Sequence, residues 1–174
     1  MGLMALPIYL PALLLNKIPN LKTLRNVYKV LLLGRIAAAF YASLTVAIFY
    51  LILQRLRESY TKNISLKVTL LFLFAFALGS NVWTIASRSL WQHTSSLFLF
   101  TLTIYFLLLG LKNKKFIQVT GLLAGLTVLA RPTNIVFAIP IATYVFFQYK
   151  EQFFKFVLWG IPTVLIYLGL NKIM

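Results

Sequence analysis

The segment SRSLWQHTSS, residues 87–96, brings an arginine, a tryptophan, a glutamine and the only histidine of the chain into six consecutive positions. On a helix, Arg88 and Gln92 share one face at i, i+4, and Trp91 lies beside them at i+3. A guanidinium binds a phosphate through two parallel hydrogen bonds, and the imidazole of His93 exchanges protons near neutral pH. These residue types therefore predict contact with an anionic, phosphate-bearing ligand.

Each of these side chains also has an ordinary structural interpretation, which the sequence leaves open. An arginine at a helix end anchors to lipid head groups. Trp83 and Trp91 fit the aromatic belt of a membrane interface, and His93 fits either a structural hydrogen-bond donor or a base. A metal site at His93 is not predicted, because no second ligand of suitable type is near it.

The amino-acid composition indicates whether these residues are surrounded by water or by lipid. The 174 residues are 61% hydrophobic, with a mean hydropathy of +0.89, which predicts a membrane protein. The formal charge is +15, with only two acidic residues, but the basic residues cluster between apolar runs, as the positive-inside rule expects, so nucleic-acid binding is not predicted. The absence of cysteine excludes disulfides, thiolate metal sites and a thiol nucleophile.

We expect an all-α membrane fold: a single transmembrane domain over residues 1–174, with about six helices that follow an interfacial or re-entrant segment at 1–30. The predicted spans are residues 31–53, 68–87, 90–111, 116–131, 133–149 and 153–170. The stretch 116–149 is divided because one helix would be about 50 Å long and Arg131-Pro132 would interrupt it.

The charge distribution predicts the orientation. The connectors at 54–67, 112–115 and 150–155 hold nine of the seventeen basic residues, and all three fall on one side of this topology. We expect that side to be cytoplasmic. Four further basic residues precede the first span and would be external, which is the weaker of the two signals.

In this topology Arg35, Arg88 and Arg131 all lie at the outer face of the membrane. Arg35 belongs to the first span, and the other two belong to two separate hairpins. Arginine in a membrane implies snorkelling, a partner or a function. Neither Glu58 nor Glu151 is on that side, so a ligand or lipid phosphate is the expected partner. The predicted substrate-binding residues are Arg35, Arg88, Trp91, Gln92, His93 and Arg131; no catalytic residue is assigned.

Glycine spacing predicts where helices approach closely. Gly79 and the segment GLLAG, Gly121 to Gly125, are expected to allow close helix packing, because small residues four apart let two backbones come together.

The order of GSNVWTIASRSLWQHTS, an apolar run, KNKK and GLLAGLTVLARPTN resembles the middle of the GT-C membrane glycosyltransferases, over about residues 1–150. The bacterial protein mannosyltransferases and lipopolysaccharide glycosyltransferase-like members are the nearest in pattern. The resemblance implies a cell-envelope transferase that moves a sugar, with inversion, from a polyprenyl-phosphate donor to an extracytoplasmic acceptor. It also implies that Arg88 and Arg131 hold the donor phosphate while Trp91 and His93 line the sugar cavity.

The chain departs from that family in its acidic residues. GT-C enzymes keep an acidic residue in a first external loop, as base or as ligand of a divalent metal, whereas this chain has no aspartate. No cofactor is therefore identified. The resemblance implies that the first span and its catalytic loop lie ahead of Met1 and that the family's C-terminal soluble portion is missing. We accordingly expect a fragment that is inactive alone, or a chain completed by another that supplies the loop.

A different class of function also fits the sequence, namely a non-enzymatic multi-pass subunit of a transporter or a polysaccharide export system. A transporter proper has less support, since it normally shows an intramembrane acid or paired broken helices. In every case the expected location is a cell membrane, the bacterial cytoplasmic membrane by analogy, and the expected partners are membrane lipids and a polyprenyl-phosphate sugar.

The orientation is testable with a topology reporter placed at Asn113, in the connector 112–115. We expect a cytoplasmic signal, because three lysines surround this position. An external signal would overturn the orientation and would move the three arginines to the cytoplasmic side.

Overall fold

A computed structural model of the chain describes residues 24–60, 65–88 and 92–173. These residues form six α-helices, with a π-helical turn at Val82–Ala86 and a 3₁₀ turn at Pro132–Asn134. The helices are α1 (Leu24–Tyr60), α2 (Leu66–Gly79), α3 (Gln92–Lys112), α4 (Phe116–Ala130), α5 (Ile135–Gln148) and α6 (Lys150–Ile173).

The expected all-α membrane fold is confirmed. Three helical segments are long and apolar enough to cross a bilayer, at Leu32–Glu58, Leu66–Thr84 and His93–Gly110. The chain is therefore a membrane protein. Helices α4 and α5 are apolar but shorter, at about 22 Å and 21 Å for 1.5 Å per residue.

The distribution of side chains is that of a bundle surrounded by lipid. Large apolar side chains face outward, as Leu71, Phe74 and Phe154 do, each at least 60% exposed. Much of the interior is made of small polar residues, and Thr103 and Thr120 are completely buried. Their hydroxyls donate to the carbonyls one turn earlier, which satisfies them without a second helix. Close packing of small residues thus holds the helices together.

Two observed helices differ from the predicted spans. Helix α1 begins at Leu24, so residues 24–30, predicted as part of an interfacial segment, belong to the helix; the rest of that segment lies outside the described residues. No glycine or proline stands between Leu24 and Leu33, so the helix extends beyond the apolar segment, which begins at Leu32, close to the predicted residue 31. Helix α2 ends at Gly79 rather than near Ser87, because the chain leaves the α-helix at Ser80.

The glycines of α4 explain its packing on α6. A Cβ added at Gly121 would overlap the backbone carbonyl of Phe156, and one at Gly125 would overlap the Thr163 hydroxyl. The expected close approach is thus confirmed for this pair of glycines. For Gly79 it is wrong, since among the described residues no atom of another segment lies within 4 Å of where its Cβ would be.

Ring contacts fix how the first three helices run. Phe49 of α1 stacks on Phe76 of α2 with centroids 4.0 Å apart, and Tyr41 of α1 lies 5.2 Å from Phe98 of α3. Helix α1 thus packs directly on both α2 and α3. Because the chain reverses direction from α1 to α2 and again from α2 to α3, α1 and α3 run in the same direction.

An ion pair shows that two of the basic connectors lie at one end of the bundle. Lys114, between α3 and α4, is 3.5 Å from Glu151 at the start of α6. We call this the connector end; the last turn of α1 lies there as well. The opposite end, which carries the starts of α3 and α5 and the residues Arg35, His93 and Arg131, is the arginine end.

The tight α4–α6 crossing can be tested by replacing Gly121 with alanine. We expect the free energy of unfolding to fall by about 1–3 kcal/mol, because the added methyl must displace backbone atoms of α6. Thermal unfolding in detergent, followed by circular dichroism, measures the change. Gly79→Ala is the matched control and should leave stability unchanged or slightly raised; equal melting temperatures for the two variants would contradict the packing.

Candidate anion-binding site

The site begins with a backbone break after α4. Pro132 has no N–H, and its ring disfavours helical geometry in the residue before it. Arg131 accordingly adopts an extended conformation, with φ −153° and ψ 113°. Its N–H still donates to the carbonyl of Thr127, at 3.2 Å, and its carbonyl accepts the N–H of Asn134, at 2.9 Å. The sequence RPTN thus makes a short, internally bonded turn that starts α5.

This turn brings Arg131 against the histidine of the opening segment. Arg131 Nη1 lies 3.0 Å from His93 Nδ1, across 38 residues of sequence. Guanidinium has no acceptor, so it donates and Nδ1 accepts. His93 is therefore neutral in this contact and carries its proton on Nε2. The pair presents only N–H donors outward, which suits an anion.

A second polar contact lies one helical turn deeper. Asn134 is 6% exposed, and its amide donates to the Thr127 carbonyl, at 2.9 Å, and to the Ser96 hydroxyl. The Thr127 hydroxyl is 3.4 Å from that of Thr103. Together these contacts join α3, the end of α4 and the turn before α5 through paired polar groups, as an apolar surrounding requires.

Sequence reasoning missed Asn134 and Ser96, although both belong to the quoted motifs. His93 and Ser96 are three apart on α3 and therefore share one face of the helix, and Arg131 and Asn134 are also three apart, in the turn before α5. Both contacts also join residues 38 apart. The signal was the repeated i, i+3 spacing of polar residues in two separate segments, but it becomes decisive only once the segments are known to be neighbours.

The other predicted residues are distributed around this pair. Arg88 is exposed, in the turn that follows the π-helical segment, and Arg35 is exposed on α1. Gln92 is the first residue of α3, and Trp91 lies outside the described residues. Within the described part of the chain, neither Arg35 nor Arg88 contacts His93 or Arg131 through a hydrogen bond. Their joint role in substrate binding stays a prediction.

One hydrogen bond shows at which end of the bundle Arg88 lies. The Thr94 hydroxyl donates to the carbonyl of Ala86, at 3.0 Å, which ties the end of the π-helical turn to the first turn of α3. Arg88 follows two residues later and therefore belongs to the arginine end. All three predicted arginines thus stand at the same end of the bundle.

An apolar groove leads away from the site between α4, α5 and α6. Its volume is about 580 Å³, and it extends along α4 from Gly121 to Pro132, the neighbour of Arg131. Helix α5 contributes Ile135 and Ala142 to its wall. No charged residue lines the groove, and the Thr163 hydroxyl donates to the Gly160 carbonyl at 2.6 Å. The groove thus presents hydrocarbon to its contents.

The divalent metal of the GT-C pattern does not fit the residues at the arginine end. The two acids of the chain are paired at the connector end, Glu58 with Arg55 at 3.7 Å and Glu151 with Lys114 at 3.5 Å. Among the described residues, oxygen donors with negative charge, which such metals prefer, are therefore missing beside His93.

No protein-family model matches this chain, and neither a curated protein nor a solved structure is significantly similar to it.

The role of Asn134 can be tested with Asn134→Leu, which removes both of its hydrogen bonds at a buried position. We expect the free energy of unfolding to fall by about 1–3 kcal/mol, because the Thr127 carbonyl and the Ser96 hydroxyl lose a partner. Chemical unfolding in detergent gives this value. Thr133→Leu, in the same turn but exposed, is the control; a similar loss there would mean that the turn tolerates no leucine and that the amide is not the cause.

Proposed function

We propose that this chain is the donor-lipid-binding core of a GT-C-type membrane glycosyltransferase, which transfers a sugar from a polyprenyl phosphate to an extracytoplasmic acceptor. In this proposal Arg131 and His93 hold the phosphate, and the groove between α4, α5 and α6 takes the first part of the hydrocarbon chain.

One observation carries the proposal: the pair of Arg131 and His93, which offers only hydrogen-bond donors, adjoins a long apolar groove. A ligand that satisfies both needs an anionic head and a hydrocarbon tail. No carboxylate competes for the guanidinium, since both acids are paired at the connector end. Charge-assisted hydrogen bonds from arginine to phosphate oxygens are stronger than those between neutral groups.

Arg131 and His93 have different roles in binding the phosphate. Arg131 offers its remaining N–H groups to the phosphate, and the Nε2–H of His93 adds a neutral donor. In this arrangement His93 is not a base, because Nδ1 is occupied and Nε2 already carries a proton. The group that removes the acceptor's proton, a step worth about 10²- to 10⁴-fold in general base catalysis, must then come from outside the described residues.

The same observation favours a second candidate function. A chain that binds a lipid phosphate but brings no base to it also suits a non-enzymatic membrane subunit, for example one that serves a transporter or a polysaccharide export system. The two functions share the lipid site and differ in whether sugar is transferred.

The lipid site is tested with the full chain in nanodiscs, by native mass spectrometry after exposure to a polyprenyl phosphate or to the polyprenol of the same length. We expect the phosphate to be retained in preference to the alcohol. Arg131→Gln should weaken retention of the phosphate by about 10- to 100-fold, the value of a hydrogen bond to a charged group, and should leave the alcohol unaffected.

Two controls separate the head-group contact from the groove. Arg57→Gln removes an arginine of the connector end and should leave retention unchanged. Ala138→Phe fills the groove and should reduce retention of both lipids. Equal retention of the phosphate and the alcohol by the natural sequence would refute the proposal.

A further inference from the structure

A second groove lies between α1 and the end of α2. It has a volume of about 380 Å³, and its wall includes the small residues Ala39, Ala42 and Ser43 of α1, together with Trp83 and Ser87. These residues belong to different elements from the groove of α4, α5 and α6. The two grooves are therefore separate features of the fold.

The wall of this second groove offers hydrocarbon although it contains two serines. The Ser43 hydroxyl donates to the Ala39 carbonyl, at 2.8 Å, and the Ser87 hydroxyl donates to the Trp83 carbonyl, at 2.6 Å. Their hydrogen-bonding capacity as donors is already used within their own helical turns. The contents of the groove then need no polar group at this depth, which suits an acyl chain.

Two arginines of the arginine end are close in sequence to residues that line this groove. Arg35 lies on the same helical face as Ala39, Ala42 and Val46, since the four positions follow the i, i+4, i+7, i+11 spacing. Arg88 directly follows Ser87. Both side chains are exposed, and neither forms an ion pair or hydrogen bond with any other residue of the described chain.

The backbone near the groove departs from regular helix. After Gly79 the chain leaves α2, and Val82–Ala86 forms a π-helical turn, a feature that is frequent at functional sites. Trp83 lies in this turn with 58% of its surface exposed, as is typical of aromatic residues at a membrane interface. The π-helical turn therefore supplies the aromatic side chain of the groove wall, and Arg88 follows two residues after the turn ends.

We propose that α1 and the end of α2 form a second site, which binds an anionic phospholipid. The head-group phosphate lies at Arg35 and Arg88, and one acyl chain lies along Ala39, Ala42 and Trp83. Charge complementarity identifies this occupant, because an apolar wall is flanked in the sequence by two exposed arginines, and the described residues have no acidic side chain at that end of the bundle. The site goes beyond the proposed function, since it shares no residue with the site of Arg131 and His93.

Trp83 provides the measurement. The full chain with Trp91→Phe and Trp159→Phe retains Trp83 as its sole tryptophan, and it is placed in phosphatidylcholine vesicles that contain a minor fraction of a brominated lipid. We expect brominated phosphatidylglycerol to quench Trp83 more than brominated phosphatidylcholine does, with a preference of about five-fold in apparent affinity for each arginine that contacts the head group. A protein with Trp159 alone reports the surrounding lipid and should show no preference.

Variants assign the preference to the two arginines. Arg35→Gln with Arg88→Gln should abolish it, whereas Arg57→Gln, at the connector end, should preserve it. Ser43→Phe fills the groove from an exposed position and should reduce quenching by both lipids at Trp83. This variant keeps the test decisive if the double arginine variant does not fold.

Two outcomes would overturn the second site. Equal quenching of Trp83 by the two brominated lipids would mean that the arginines are ordinary head-group anchors. Loss of the preference in Arg131→Gln, to the extent seen in the double variant, would mean a single shared anion site. Retention of polyprenyl phosphate does not involve Trp83, so a failure here is distinguishable from a failure of the proposed function.

Discussion

The end of α4 leaves backbone carbonyls without partners inside the helix, and in an apolar surrounding such groups must be satisfied by the protein itself. The Thr127 carbonyl meets this requirement twice, through the N–H of Arg131 and the amide of Asn134. Asn134 also donates a hydrogen bond to Ser96. The side chain that satisfies the Thr127 carbonyl therefore also holds α3 beside the turn. The contact of Arg131 with His93 depends on that placement.

The two ends of the bundle differ in chemistry as a consequence of where the acids are. At the connector end, Glu58 and Glu151 neutralise part of the basic charge. At the arginine end the described residues include no acidic side chain, so guanidinium groups there face lipid phosphates, water or a ligand. An apolar groove meets this end beside Pro132, and another, between α1 and α2, is lined by residues close in sequence to Arg35 and Arg88. Both apolar grooves therefore lie close, along the chain, to arginines of this end of the bundle.

Close packing is concentrated on one helix. Helix α4 approaches α6 through Gly121 and Gly125 and approaches α3 through buried threonines, whereas α5 touches its neighbours less closely and leaves a groove. Helix α4 is therefore held by close contacts on two sides, while its flank toward α5 is covered less closely. Small residues permit this arrangement in a membrane, where packing rather than apolar burial joins helices.

The sequence by itself determined the all-α membrane class, the basic connectors and the break at Arg131-Pro132, because each follows from hydropathy, charge or proline geometry within a few residues. The predicted start of the first span, at residue 31, lies close to Leu32, where the segment apolar enough to cross a membrane begins, whereas the helix itself already begins at Leu24. The same local reasoning predicted close packing at Gly79, which no other described helix approaches within 4 Å. Only the tertiary structure decided that His93 pairs with Arg131 and Ser96 with Asn134. Those contacts depend on the register between segments 38 residues apart, and that register is set by packing along the whole length of the helices.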